Sequence, residues 1–536
     1  MKPEDLHSLL FLGSLLLFAL SCVASPAPPD PNAFIQCLVK NKVSDADTKA
    51  IVISPQNPTF TSVLYSLAKN LRFQTPQTPK PVVIVTPKIE SHVPSTIACA
   101  KEMNIQLKTR SGGHDYDGRS YTSNETFLLL DMFNMKRIDV FPENETAVVQ
   151  AGATLGELYY NIWNKSKIHA FPAGVCPTVG AGGHISCGGY GTLIRKYGLT
   201  VDNVIDARIV NVRGEILDRK GMGEDLFWAI RGGGGGSFGV ILSYTIHLVK
   251  VPDAVTTFKI MKTLEENGTD IVSQYQLSVS KMDPDLFIRL LLQPGTKTVR
   301  VTLLGEFLGD CNRLVGVMNK EIPQVGFKNT DCMQSTWIQS KLWWANFDNK
   351  TAPEALLVRN SSVTHGKRKS DYVQTPIPKD GLEAIWKKMI ELGTVGFVFN
   401  SYGGKMDEFA GTATPMPHRA GNLYKIQYST SWSETGPAAE NKYMSDIRSL
   451  HEFMTPYVSK SPRGAFLCYR DLDIGTTDNG PRSFDQGKNY GMQYFGPNFD
   501  RLVKIKTAVD PENFFRNEQS IPVQQPRRGL SSFIEL

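Results

Sequence analysis

Apolar positions along the chain recur at two periods, one helical and one alternating, and these predict its elements. Residues 32–41 and 92–103 carry helical spacing, 155–164 form an amphipathic helix, and 314–320 and 381–392 read as further helices. Strands are predicted at 82–85, a Val-Val-Ile-Val run flanked by prolines, and at 105–109, 127–131, 138–141, 147–151 and 240–248. Residues 204–211 and 216–218 make a hairpin, and 287–292, 298–305 and 396–402 are later strands. Residues 423–429 alternate strictly, so that Lys425, Gln427 and Ser429 share one face and Tyr424, Ile426 and Tyr428 the other. This mixture implies an α+β or α/β chain, and its 536 residues suffice for two or three domains with a sizeable core.

Glycine interrupts the pattern in three places. Residues 171–191 hold seven glycines around Cys176, which sits between Val175 and Pro177. Upstream, Arg110-Ser111-Gly112-Gly113-His114-Asp115 forms a second glycine turn directly after a predicted strand. A third run, Gly232 to Gly236, follows residues 223–231. Without a Cβ, a backbone can turn tightly or press against a bound ring or phosphate. No Gly-Lys-Ser/Thr follows the third run, which excludes a P-loop, and the strand at 240–248 begins too soon for a flexible linker. On the residues alone, His114 reads equally as a turn histidine or a ligand, and Cys176 as a buried thiol or a reactive one.

Composition narrows the setting. Residues 1–24 have the shape of a secretory signal, with an apolar run at 9–20 before Ser21-Cys22-Val23-Ala24, although Glu4 and Asp5 make its start atypical. The run is too short for a membrane anchor, so a secreted protein of the cell wall, apoplast or vacuole is expected. With 58 Lys and Arg against 52 Asp and Glu the net charge is +6, without a basic tract, which argues against nucleic acid as a partner. The expected protein is a monomer acting on a small molecule, with no metal site. Loss of Cys22 with the signal would leave seven cysteines, an odd count for an oxidising compartment. Sequons at Asn124, Asn144, Asn164, Asn267, Asn349 and Asn360 suit the same route.

The two glycine turns around His114 and Cys176 resemble those of the berberine bridge enzyme-like family of plant flavin oxidases, and the resemblance runs from about residue 32 to 522. It implies a two-domain FAD-linked oxidase fold of the PCMH or vanillyl-alcohol-oxidase type. Its discontinuous FAD domain would span 32–252 and return at 470–522, around an α+β substrate domain at 253–469. FAD would be bonded twice, by His114 at the 8α-methyl carbon and by Cys176 at C6. Arg110, Ser111, Gly112, Gly113, Asp115, Gly180, Gly182, Gly183, His184 and Val240 would surround it. Cys37 and Cys99 match the family's usual disulfide. Two phenols compete for the role of base: Tyr190, which several relatives pair with a lysine and glutamine matching Lys425 and Gln427, and Tyr494, which matches the base of the cannabinoid synthases. An ammonium at Lys425 beside the Tyr190 phenol would favour phenolate. Tyr116, Arg300 and Asn400 resemble substrate-side positions. Val179 stands where a larger side chain in relatives hinders oxygen, implying an oxidase that makes H2O2.

The implied activity is hydride transfer to flavin N5 from a phenolic, alkaloid, prenylated aromatic, carbohydrate or alcohol substrate, with ring closure among its outcomes. Departures from the family pattern keep a second class open. Cys187 replaces a usual glycine and Cys468 a usual asparagine, and both are expected to stay reduced or inert. Tyr490, Gln493 and Ser401 replace a tryptophan, a lysine and a proline. Mulberry-type Diels-Alderases also resemble the family and keep FAD without net redox, so a pericyclase is the alternative. A flavin-bearing wall or allergen-like protein without turnover is the third reading.

Overall fold

The computed structural model describes residues 29–524 except 361 and 481, so the signal expected at 1–24 lies outside the described residues. The first buried strands form a four-stranded sheet in the order Val52–Ile53, Ile84–Val85, Phe127–Asp131, Gln106–Arg110, the last three running parallel. Parallel strands need a crossover, and helix His92–Glu102 supplies it, burying Val93, Ile97 and Ala100. Every residue of Phe127–Asp131 is buried, as befits a strand covered on both faces. Strand Gln106–Arg110 ends at the His114 turn.

A five-stranded antiparallel sheet follows, in the order Ile138–Phe141, Thr146–Gln150, Val240–His247, Val204–Val210, Ile216–Leu217. Beside it, helix Leu155–Lys165 opens with a reciprocal cap: the Glu157 amide donates to Thr154 Oγ1 at 3.3 Å and the Thr154 amide to Glu157 Oε2 at 2.9 Å. Leu155, Leu158, Tyr159 and Ile162 bury one stripe of it. Helix starts leave amides without intrahelical partners. Here Leu155 and Gly156 donate theirs to the Val179 and Pro177 carbonyls at 2.9 and 2.8 Å, which fixes the Cys176 turn against the helix.

The third sheet has seven antiparallel strands, in the order Met333–Ser335, Val255–Lys262, Thr298–Phe307, Leu286–Gly295, Gly396–Ser401, Tyr424–Trp432, His365–Val373. One face joins a core with helices Gly268–Ser278, Lys379–Leu392 and Pro437–Phe453, using Ile288, Leu290, Phe397, Phe399, Tyr424, Ile426 and Tyr428. Because side chains alternate, the residues between these form rows on the opposite face. Register pairs Arg289 with Asn400 and Asn400 with Lys425 in one row, Leu291 with Val398 and Val398 with Gln427 in the next.

Residues 465–522 pack back onto the first core. Helix Ser483–Phe495 donates the Tyr490 hydroxyl to the Ser520 carbonyl at 2.6 Å. From helix Phe499–Val509, buried Lys506 reaches the Ser237 carbonyl at 2.8 Å, tying this return to the third glycine run. Cys37 and Cys99 are bridged, joining helices Pro31–Lys40 and His92–Glu102, and Cys311 pairs with Cys332. All six sequon asparagines are exposed. No described helix is long and apolar enough to cross a membrane.

Candidate active site

Two turns meet back to back at Gly112 and Gly180. A Cβ on either would overlap the backbone nitrogen of the other, so only glycine permits the approach. The contact brings His114 and Cys176 to one cavity of about 440 Å³. His114 Nε2 lies 2.9 Å from Thr178 Oγ1, within the Cys176 turn, and Ser111 Oγ donates to the Ala151 carbonyl at 2.6 Å. Burial, helped by Lys69, holds the imidazole at a pKa of about 3, so it is neutral near pH 7. Cys176 is the one free cysteine among the described residues, and its exposed side chain opens onto the cavity. The surrounding protein pushes its thiol up, against the pull of Arg289.

The lining suits FAD. At Gly183 and Gly236 an added Cβ would meet nothing within 4 Å, so bare backbone faces the cavity from both glycine runs. A flat ring and a pyrophosphate need such close approach to main-chain amides. Asp115, paired with Arg470 at 3.1 Å, and His184 complete this side. His184 accepts the Gly174 amide at 3.1 Å, and burial lowers its pKa to about 4.

Of the residues expected around cofactor and substrate, Ser111, Gly112, Gly113, His114, Asp115, Tyr116, Cys176, Val179, Gly180, Gly182, Gly183, His184, Tyr190 and Gln427 line the cavity. Six are placed elsewhere: Lys425, behind Tyr190, and five that each have a local reason. Arg110 points away and is buried against Asp131 at 2.6 Å and the Val63 carbonyl at 2.9 Å, because a buried guanidinium must be paired. It braces the turn from behind. Val240 faces the core while its strand neighbours Gly239 and Ile241 line the cavity, a consequence of alternation. Arg300 is exposed on strand Thr298–Phe307, away from the wall. Asn400 is buried behind the wall, where Oδ1 accepts Arg289 Nε at 2.9 Å. Tyr494 is also buried outside the lining: its hydroxyl accepts the Asp471 amide at 3.1 Å and lies 3.1 Å from Gln519 Oε1. It props the segment carrying Tyr469.

Tyr190 meets the cavity, and its phenol donates to the Ser401 carbonyl at 2.8 Å. Lys425 lies behind it, fully buried, with no hydrogen-bond partner for Nζ. Nζ sits 4.1 Å from the Tyr190 ring centre, 3.4 Å from that of Phe466 and 4.3 Å from that of Tyr469. Lys425 was expected beside the phenol, as an ammonium favouring phenolate. The amine faces the ring and not the oxygen, and burial pushes the phenol well above and the amine well below their usual ranges. Each group therefore resists charge on its own, and a cation over the ring would favour the phenolate.

Gln427 Nε2 donates to the Tyr116 hydroxyl at 2.9 Å, and Tyr116 lies against Tyr469, ring centres 5.8 Å apart. Tyr469, Phe466 and Arg289 line the cavity but were not among the expected site residues. Arg289 had a signal: an arginine at an alternating position inside Phe287-Ile288-Arg289-Leu290-Leu291-Leu292 has to be served by something on its own face.

Cys187 and Cys468, expected to be reduced or inert, are bridged. Their Cα atoms lie 5.2 Å apart although 281 residues separate them, because the return of residues 465–522 lays one motif against the other. Both line the cavity, between the Tyr190 turn and Tyr469. Non-reducing peptide mapping should recover the linked peptides. Closing so long a loop stabilises by about 5–6 kcal/mol in the chain-entropy account, so Cys187→Gly with Cys468→Asn should lower Tm clearly. An unchanged Tm would count against the bridge.

Residues 81–219 match the FAD binding domain family, and 465–522 the berberine and berberine-like family. The chain is 53% identical over 523 residues to berberine bridge enzyme-like 2 of Arabidopsis thaliana, covering 95% of this chain and 97% of that protein. The solved structure of BBE-like #28 from Arabidopsis thaliana superposes with a TM-score of 0.87 at 43% identity, over 92% of this chain and 100% of the other. Phl p 4, a grass pollen allergen with glucose dehydrogenase activity, superposes with a TM-score of 0.88 at 39% identity over the same shares, 92% and 100%. An isoleucine-to-valine variant of that allergen is a glucose oxidase. With the glycine cradle, the α+β PCMH-type fold and identity above half across nearly its whole length, the chain belongs to the berberine bridge enzyme-like family of FAD-linked oxidoreductases.

Proposed function

We propose that the protein is a secreted oxidase, with FAD bonded to His114 and Cys176, that oxidises a small aromatic or alcohol substrate and passes the electrons to O2, giving H2O2. The observation that carries this reading is the convergence of a neutral imidazole, the free thiol and the Tyr190 phenol on one cavity with a bare-backbone wall. Bound there, FAD would supply the hydride acceptor. Tyr190 takes the substrate's hydroxyl proton, and Lys425 balances the charge left on its ring. Tyr494 has no access to substrate and is assigned to support. Tyr116, Tyr469, Leu291 and Val398 offer a flat, largely apolar wall to an aromatic ring. Val179 lines the same cavity, and in Phl p 4 a change to valine accompanies oxidase activity, which supports oxygen as acceptor. Three disulfides and six exposed sequons support the secretory route.

Aromatic alcohols, phenols and sugars should be screened for anaerobic flavin bleaching, then for O2 uptake with matching H2O2. Bleaching with O2 uptake is the expected result. Product formed without either would replace the oxidase by the pericyclase reading.

A further inference from the structure

Five cations line the cavity, and four are neutralised by carboxylates: Lys108 and Arg119 by Glu518, Arg470 by Asp115, and Arg516 by Glu125. The fifth, Arg289, has no carboxylate within 4 Å among the described residues. Asp115 is the only acidic residue of the lining, and it is already engaged. Arg289 is nevertheless held in place. Asn400 accepts its Nε at 2.9 Å, and its guanidinium lies 5.1 Å from the Trp344 ring centre and 6.0 Å from that of Phe287. Neither Nη has a protein partner among the described residues. It stands on the seven-stranded sheet in one row with Asn400 and Lys425, not beside the glycine runs. A guanidinium oriented through Nε with both Nη groups free is prepared for a planar, bidentate oxyanion.

We infer that Arg289 is a specificity-determining residue whose partner is a carboxylate on the substrate. The inference rests on the proposed oxidase site and narrows its substrate to an aromatic or alcohol bearing a carboxylate group. The neutral Tyr190 and buried Lys425 offer that anion no competing negative charge.

The test is calorimetric binding of cinnamate and of its neutral isostere cinnamamide to the flavin-loaded protein, wild type against Arg289→Gln and Arg289→Lys. Wild type should bind cinnamate at least tenfold more tightly than cinnamamide. Arg289→Gln should abolish that preference by weakening cinnamate at least tenfold while leaving cinnamamide within about twofold, and Arg289→Lys should keep part of it. Equal wild-type affinities, or no binding of cinnamate, would overturn the inference. So would an equal loss of both ligands in Arg289→Gln, which would mean that the guanidinium shapes the wall without reading charge. Should Arg289→Gln fail to fold, the wild-type comparison still decides. Failure of the oxidase reading shows separately, as absent bleaching and O2 uptake with neutral and carboxylate-bearing alcohols alike.

Discussion

Tyr190→Phe will slow anaerobic flavin reduction by about 10²–10⁴-fold, the range over which a positioned base acts. Tyr190 touches the cavity, and the Lys425 amine lies 4.1 Å from its ring centre. Burial raises its pKa, so the ionised fraction, and with it the rate, should climb as pH rises above neutrality. In Lys425→Met the phenolate loses the cation over its ring, so the rate near pH 7 should drop and the profile should move to higher pH, with partial recovery there. Tyr494→Phe should leave the chemistry nearly intact and cost about 1 kcal/mol of stability per lost hydrogen bond. Stopped-flow reduction across pH for the three variants reads these together. If Tyr494→Phe abolishes reduction while Tyr190→Phe and Lys425→Met do not, the base is misassigned.

How much of this was legible beforehand depended on whether the cause was local. Strands Phe127–Asp131 and Ile138–Phe141 were read to the residue, because short apolar or alternating runs between polar turns speak for themselves. The alternation at 423–429 likewise placed Gln427 on the cavity face and Tyr428 in the core. Strand His365–Val373 is not legible in the sequence: Lys367, Lys369 and Asp371 make it look exposed, yet all three are buried. They are satisfied by partners far along the chain, Lys367 by Asp117 and Asp471 at 2.8 and 2.7 Å and Asp371 by Arg463 at 2.6 Å. The Cys187–Cys468 bridge and Tyr469 share that cause, since only the return of the C-terminal segment brings them to the cavity. The polar side of Lys425 was legible, but its position behind Tyr190 was not, because the aromatic box comes from two distant segments, one with Tyr190 and one with Phe466 and Tyr469.

Acid denaturation will leave flavin on the wild-type polypeptide, and only His114→Ala combined with Cys176→Ala will free all of it. The expectation starts from cysteine pairing: six of the seven described cysteines are in disulfides, and the seventh faces the cavity that the glycine cradle shapes. His114 reaches the same cavity as a neutral imidazole, with Nε2 held by Thr178. A neutral ring nitrogen keeps the lone pair that a bond to carbon requires, and a protonated one does not. Burial keeps His114 neutral well below pH 7, so its side of the attachment should form even in an acidic compartment. Each single variant should therefore retain flavin through the remaining residue, visible as yellow precipitate and as a flavin-bearing peptide containing either 114 or 176. Complete release from the wild type would show that neither bond forms, and retention by the double variant would place the attachment elsewhere on the chain.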